Sequence, residues 1–370
     1  MNDDKNLRRL IDLHDKGAID RRGFMLGGAA LAGMSGAGLL ASPAQAQAKK
    51  FAGRDVVFTS WGGAYQNAQK LCVCDPFAAK TGANVLQDGP IDEGKLRVMV
   101  ESKRPVWDVC DVTLTFYNTG VKQGLFEKLD FSKIKTDGVA PQYIGEYGVG
   151  MIAVSYNVAS NTTMFPQGKH PKTWADLFDL KNFPGQRSLI KRPVPVLEIA
   201  LLADGVPADK LYPLDVDRAF KKLDIIKKQT IFWESFSQSQ QLLTDGQASC
   251  GMINNGRAYD AVQKGAKMAI EWHQSLQNVS YWVIPKGSKN VEVAHGLIEE
   301  GTVAENQAKL ANTIGYAPTN AKAFSGVEQK VLPWLTTYPE NLKTAVPLNG
   351  AYWAENERAV TERWNSWLLS

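Results

Sequence analysis

The chain has 370 residues, of which 44% are hydrophobic and 22% are charged, and its formal net charge at pH 7 is +4. This length exceeds one typical domain, so two lobes are expected. The near balance of 42 basic and 38 acidic residues argues against nucleic acid or an anionic membrane surface as a partner, because both require a concentrated basic face.

Residues 1–48 have the pattern of an export signal. Arg21-Arg22 precede a weakly apolar stretch at residues 24–41 and a small-residue cleavage sequence. Paired arginines indicate the twin-arginine route, with cleavage expected after Ala46 or Ala48. The stretch is short and glycine-rich for a membrane-spanning helix, which needs about 20 predominantly apolar residues. The sequence therefore predicts a periplasmic protein, with an N-terminal membrane anchor as the alternative.

The cysteines and histidines do not suggest a metal site or an active centre. All four cysteines, at positions 72, 74, 110 and 250, lie in apolar segments, so we expect buried free thiols rather than disulfides. The four histidines are scattered, and the sequence has no nucleophile elbow and no Walker loop. We therefore predict no metal, no cofactor and no enzymatic activity.

Strands and helices are predicted to alternate along the chain after residue 48. The predicted strands cover residues 55–60, 84–88, 106–112, 148–156, 188–190, 230–233, 248–253, 268–272 and 281–284. The predicted helices cover residues 63–82, 92–101, 121–129, 173–178, 197–203, 216–228, 237–243 and 256–264, and the chain from residue 291 is mainly helical. Such alternation is typical of βαβ units around a parallel sheet.

Two such series joined by crossing strands predict an α/β fold with two lobes, each a mostly parallel sheet flanked by helices, arranged as a clamshell. The predicted segments are 49–150 for the first part of lobe 1, 151–280 for lobe 2, 281–325 for the return of lobe 1, and 326–370 for C-terminal helices packed on the lobes. Ligands of such sheets bind beyond the carboxyl ends of the strands. The loops expected to carry the site are residues 60–65, 112–117, 190–195, 233–238, 253–257 and 278–282.

Several short motifs follow one another along the chain in a characteristic order. They include Phe58-Thr-Ser-Trp-Gly-Gly-Ala-Tyr-Gln66, Trp107-Asp-Val-Cys-Asp-Val112, Pro171-Lys-Thr-Trp-Ala-Asp-Leu-Phe178, Trp282-Val-Ile-Pro-Lys-Gly287 and Ile314-Gly-Tyr-Ala-Pro-Thr-Asn320. Together they resemble the periplasmic solute-binding proteins of ABC importers, in the polyamine-type branch. The resemblance implies a type II periplasmic binding fold that closes over its ligand by a hinge. It also implies a monomer that delivers a small molecule to the permease and ATPase subunits of an importer.

Departures from the polyamine-binding relatives indicate a different ligand. Those relatives hold a polycation with several carboxylates set among aromatic rings. This chain keeps the first aromatic, Trp61, but has Gly63 in place of a carboxylate, the Arg192 region in place of an acid, and Ser280 near the position of the last acid. A polyammonium buried without carboxylates costs several kcal/mol per charge. The resemblance therefore favours the γ-aminobutyrate and opine relatives, with polyamine binding as the alternative.

The replacements suit the carboxylate of a small amino-acid-like ligand. We expect Arg192 to pair with that carboxylate, and an aromatic ring to stack on the rest of the ligand. The predicted ligand-binding residues are Trp61, Gly62, Gly63, Thr113, Thr115, Arg192, Trp233, Glu234, Asn254, Asn255, Arg257, Ser280, Trp282 and Tyr316. The Gly62-Gly63 turn is expected to offer helix N-terminal N–H groups. Ferric-ion binding and an enzyme on the same fold are a second alternative.

Overall fold

Eleven strands form one mixed sheet in the computed structural model, which describes residues 49–370. The predicted export signal in residues 1–48 lies outside the described residues. The strands are β1 Asp55–Thr59, β2 Asn84–Asp88, β3 Val109–Thr113, β4 Ile144–Gly145, β5 Gly148–Asn161, β6 Arg187–Ile190, β7 Thr230–Trp233, β8 Cys250–Asn254, β9 Met268–Val283, β10 Ala317–Pro318 and β11 Val346–Pro347.

The order β2-β1-β3-β9-β5-β8-β6-β7 divides the sheet into two parallel groups. The group β2-β1-β3 forms the sheet of lobe 1, and the group β8-β6-β7 forms that of lobe 2. The long strands β5 and β9 run antiparallel to each other and join the two groups, because β9 pairs with β3 and β5 pairs with β8. This arrangement confirms the predicted α/β class with a mostly parallel sheet in each lobe.

Helices flank both parallel groups. They are α1 Gly63–Gln69, α2 Asp75–Thr81, α3 Glu93–Glu101, α4 Leu114–Lys122, α5 Trp174–Phe178, α6 Pro193–Ala203, α7 Val216–Leu223, α8 Phe236–Thr244, α9 Asn255–Gln263, α10 Val291–Thr302, α11 Ala304–Ile314, α12 Pro339–Leu342 and α13 Gly350–Leu369. A π-helical turn, Lys70–Cys74, joins α1 to α2. Several helices begin directly after a strand, so their first turns lie at the carboxyl edge of the sheet.

Some predicted elements differ from the structure. The helix predicted at 121–129 is wrong over most of its length, since the helix here is α4, Leu114–Lys122, which the Thr113 side chain caps directly after β3. The strands predicted at 268–272 and 281–284 are parts of the single strand β9. Polar residues such as Ser275 and Asn278 interrupt the apolar pattern of β9, yet both are buried.

The core is continuous through both lobes and includes six wholly buried tryptophans: Trp107, Trp174, Trp233, Trp282, Trp353 and Trp364. The four cysteines are buried free thiols, each filling an apolar position. Helix α13 packs against both α4 and α6 and contributes two of the buried tryptophans. Among the described residues, no helix combines the length and apolar character needed to cross a membrane.

Candidate ligand-binding site

A small cavity lies where the two parallel groups meet, and we call it the inner cavity. Residues from both lobes and from the crossing strands form its wall: Trp61, Tyr65, Thr113, Ile152, Val154, Tyr156, Phe236, Asn254, Arg257, Asn278, Val279, Ser280 and Tyr316. Most follow the carboxyl ends of β1, β3, β7 and β8 or lie on β5 and β9. The cavity therefore occupies the edge at which ligands of α/β sheets are expected.

Aromatic rings make up much of this wall. Trp61 of lobe 1 meets Phe236 of lobe 2 edge to face, with ring centroids 5.4 Å apart. Tyr156 on β5 stacks near Phe236 at 6.3 Å, and Tyr65 meets Tyr316 edge to face at 5.1 Å. Such rings bury the methylene groups of a ligand and attract an ammonium group over their faces.

Arg257 places a buried positive charge at the wall of the cavity. Its residue is only 1% exposed, although it lies in the first turn of α9. Its Nη2 donates to the carbonyl oxygens of Gly62 at 2.9 Å and Trp61 at 3.4 Å, and its Nε has no partner in the described part of the chain. Neutral carbonyls only partly compensate a desolvated guanidinium, so this side of the cavity is complementary to an anion.

The approach of Arg257 to lobe 1 depends on a glycine. Gly63 has a φ of +58°, and a Cβ atom there would lie 2.8 Å from Nη1 of Arg257 and 2.5 Å from Oγ of Ser237. Any larger residue would therefore displace two side chains of lobe 2. The predicted role of the Gly62 N–H is not supported, because that group donates to Oε1 of Gln66 at 3.0 Å.

Asn254 adds an unpartnered acceptor to the same wall. The residue is buried at the end of β8, and its Oδ1 has no hydrogen-bond partner among residues 49–370. A buried polar atom without a partner is costly, so a ligand that donates to it is favoured. The cavity thus combines an unpartnered acceptor with the incompletely paired cation of Arg257, which suits a ligand with one anionic end and one donor end.

Asp111 lies behind the wall and holds several of its side chains in place. This wholly buried carboxylate accepts hydrogen bonds from five side-chain donors: Trp61 Nε1, Tyr65 Oη, Gln69 Nε2, Ser280 Oγ and Trp282 Nε1. The hydroxyl of Ser60 lies 3.3 Å from the same carboxylate and donates to Oε1 of Gln69 at 2.5 Å. The register of β3 with β9 explains part of this cluster, since Asp111 lies opposite Trp282. Burial raises the pKa of Asp111, while the hydrogen bonds that it accepts oppose that rise.

A second, more exposed group of charges lies in a groove beside the inner cavity. We call it the outer groove, and its lining includes Glu93, Thr115, Lys191, Arg192 and Glu234. Nη1 of Arg192 lies 3.8 Å from Oε2 of Glu93, and its guanidinium lies 5.7 Å from the centroid of the Trp61 ring. Glu93 also accepts from the backbone N–H and the hydroxyl of Thr113 at 3.0 and 2.8 Å. Burial raises the pKa of Glu93, and the charge of Arg192 partly offsets that effect.

The structure brings together only part of the predicted site. Trp61, Thr113, Asn254, Arg257, Ser280 and Tyr316 line the inner cavity, whereas Thr115, Arg192 and Glu234 line the outer groove. Gly62 and Gly63 contact Arg257 rather than the cavity.

The other three predicted residues lie away from both spaces. Trp233 is in the core, and Trp282 donates to Asp111 at 3.1 Å. The side-chain amide of Asn255 donates to the carbonyl oxygens of Gly315 and Trp334, so its role is structural.

Sequence reasoning also missed several residues of the site. Tyr65, Phe236, Asn278 and Val279 fall within the loops expected to carry it, but they were not selected. Tyr156 is the last residue of a predicted strand, and its place at the carboxyl end of that strand could have indicated that it belongs to the site. Asp111 and Glu93 gave no such signal, because one lies inside a strand and the other in the first turn of a helix.

No group of three or more His, Cys, Asp or Glu side chains within residues 49–370 is placed to hold a metal ion. The inner cavity offers aromatic surface, a buried guanidinium, and amide and hydroxyl groups, all of which can hold a small ligand by non-covalent contacts.

Comparison with known proteins identifies similar chains along almost the whole described length. The γ-aminobutyric acid-binding protein of Pseudomonas aeruginosa is 32% identical over 335 residues, which cover 89% of this chain and 94% of that protein. A solved structure of the GABA receptor Atu4243 is 42% identical, with a TM-score of 0.77 and coverage of 85% and 98% of the two chains. The PBP AgtB of Agrobacterium tumefaciens R10, solved with agropinic acid, is 35% identical, with a TM-score of 0.82 and coverage of 86% and 99%.

Residues 72–341 match a family described as bacterial extracellular solute-binding proteins. The match covers well over half of the chain, and the relatives above share its fold. The resemblance read from the motifs is thereby confirmed. This chain belongs to the family of bacterial extracellular solute-binding proteins.

Proposed function

We propose that this protein captures a small zwitterionic or carboxylate-bearing ligand, of the γ-aminobutyrate type, in the inner cavity. It then delivers the ligand, chemically unchanged, to the membrane permease of an ABC importer, and it does so as a monomer. The observation that carries the proposal is the buried guanidinium of Arg257, for which residues 49–370 supply carbonyl acceptors at Nη2 and no partner at Nε. A ligand carboxylate is the group that best completes such a site.

The similarity to a γ-aminobutyric acid-binding protein and to a GABA receptor supports this ligand class. The chemistry of the wall also fits, because the aromatic rings around the cavity can pack on the short methylene chain of such a ligand. A polyamine would bring two or more positive charges beside Arg257. Like charges in a poorly solvated cavity repel, so the polyamine alternative is disfavoured.

Calorimetric titration of residues 49–370 with γ-aminobutyrate and with putrescine tests the proposal. The two ligands differ mainly by a carboxylate in place of an ammonium group, so the pair isolates the anionic end. We expect saturable binding of γ-aminobutyrate and a rise in melting temperature with its concentration. Tight binding of putrescine with none of γ-aminobutyrate would contradict the proposal.

We also propose that residues 1–48 direct export to the periplasm through the twin-arginine route. The support is the Arg21-Arg22 pair before an apolar stretch and a small-residue cleavage sequence. Replacing both arginines with lysine should leave unprocessed precursor in the cytoplasm. Normal processing of that double variant would point instead to the general secretory pathway.

A further inference from the structure

We propose that Asp111 is a positioning residue that makes the inner cavity prefer a zwitterion over a monocarboxylate of the same shape. It would do so through the cavity side chains that donate to it, since its own oxygens do not line the cavity. The proposal rests on the proposed function. It places the cationic end of the ligand near the side chains that donate to Asp111, whereas the anionic end lies at Arg257.

The first support is the identity of the donors. Three of the five side chains that donate to Asp111 also line the inner cavity: Trp61 at 3.2 Å, Tyr65 at 2.9 Å, and Ser280. Each is held in one orientation by a bond to the same carboxylate. A change at Asp111 is therefore transmitted directly to the surface that a ligand would touch.

The second support is the electrostatics of those donors. An indole N–H and a phenol O–H that donate to a carboxylate carry more electron density on their rings, which strengthens the attraction of the ring faces for an ammonium group. Burial of Asp111 leaves its field weakly screened, so the negative charge acts across the short distance to the cavity.

The third support is that all five donors to Asp111 are neutral groups. Its negative charge therefore has no cationic hydrogen-bond partner within residues 49–370, just as Arg257 has no anionic one. Lobe 1 thus supplies a buried negative charge and lobe 2 a buried positive charge around one cavity. The ammonium and carboxylate groups of a zwitterion compensate both buried charges, whereas a monocarboxylate compensates only the charge of Arg257.

Glu93 is the competing candidate for the cationic end, because it lies behind Thr113 of the same wall. It differs from Asp111 in having Arg192 3.8 Å away, which already neutralises part of its charge. The structure therefore favours Asp111, and Glu93→Gln serves as the matched control for Asp111→Asn.

The test compares γ-aminobutyrate with pentanoate, in which a methyl group replaces the ammonium group. We expect the wild type to prefer γ-aminobutyrate, and Asp111→Asn to reduce that preference by about tenfold to hundredfold while changing pentanoate affinity by less than about threefold. Glu93→Gln should leave the ratio of the two affinities close to that of the wild type. Circular dichroism and thermal melting of each variant establish that it is folded.

Two outcomes would overturn the assignment of Asp111 while leaving the proposed function intact. One is an equal loss of affinity for both ligands in Asp111→Asn, which a purely structural role predicts. The other is a change of the ratio in Glu93→Gln alone. A wild type that binds neither ligand would instead contradict the proposed function, and the present proposal with it.

If Asp111→Asn does not fold, Tyr65→Phe provides the same test, because it removes a single donor and keeps the ring. We expect it to lower the preference for γ-aminobutyrate by about threefold, with pentanoate affinity nearly unchanged. An unchanged ratio in a folded Tyr65→Phe variant would contradict the role assigned to Asp111.

Discussion

The inner cavity and the outer groove each present an arginine of lobe 2 to lobe 1, but the two arginines have opposite surroundings. Arg257 is 1% exposed and donates to two carbonyl oxygens. The side chain of Arg192 is 37% exposed, lies over the Trp61 ring and has Glu93 within 3.8 Å. A buried cation that has no acidic partner favours an anionic ligand. A cation that is exposed beside an acid gains little from a ligand, because solvent and the acid already compensate its charge.

The largest effect is expected from Arg257→Ala. A ligand carboxylate would then be buried without a partner, and the loss should be roughly 2–5 kcal/mol, or about thirtyfold to several thousandfold in affinity. Calorimetric titration with γ-aminobutyrate measures this loss. Arg257→Lys keeps the charge but loses the two-pronged geometry, so it should give an intermediate affinity. If a folded Arg257→Ala variant kept the affinity of the wild type, Arg257 would not be the partner of the ligand carboxylate.

A buried carboxyl outside both regions tests whether an incompletely paired charge is costly in this fold. Glu198 is wholly buried on α6, accepts from Trp353 at 2.6 Å and Tyr212 at 2.8 Å, and has no partner for Oε2 among the described residues. Burial raises its pKa from 4.5 to about 7. Between these two pH values the unfolded chain releases this proton while the folded protein retains it. The stability that Glu198 contributes at low pH is therefore lost as the pH rises through about 7.

Glu198→Gln removes this titration and keeps the acceptor oxygen. Relative to the wild type, its free energy of unfolding should rise by roughly 2–3 kcal/mol between pH 5 and pH 8. Denaturant unfolding of both proteins at the two pH values measures the difference. Parallel pH dependences would show that the carboxyl of Glu198 is ionised in the folded protein throughout this range.

A much smaller effect is expected from Arg192→Ala. Its charge is partly exposed and partly neutralised by Glu93, so γ-aminobutyrate affinity should change by about 1 kcal/mol or less, within about fivefold. The titration used for Arg257→Ala applies here, with that variant as the reference for a lost ligand contact. A loss larger than that of Arg257→Ala would assign the ligand carboxylate to Arg192, as the sequence alone suggested.

The smallest effect is expected from Glu234→Gln. Glu234 is exposed at the outer groove and pairs with Lys191 at 2.8 Å, and the hydrogen bond and charge of Lys191 lower its pKa. Because solvent screens both groups, affinity should change by less than about twofold. A clear loss of affinity would show that the ligand extends from the inner cavity into the outer groove.

The sequence by itself determined the class of fold and the edge of the sheet that carries the site. Alternating strands and helices predict parallel groups, because a helical crossover is the usual way to return to a parallel strand. Residues directly after those strands, such as Trp61 and Thr113, therefore gather at one edge wherever the two lobes meet. Residues 278–280 also belong to this edge, although the long strand β9 that carries them was predicted as two shorter strands.

Only the tertiary structure decided which of these residues face the cavity. Arg192 and Arg257 both follow a strand of lobe 2, and nothing local to either one predicts its burial. Burial depends on how closely lobe 1 approaches, and at Arg257 that approach is made through the backbone of Gly62 and Gly63. The role of Asp111 could not be predicted for the same reason, because its donors come from segments up to 171 residues away in the chain. Charges acquire their function here from desolvation, which is a property of the assembled lobes rather than of local sequence.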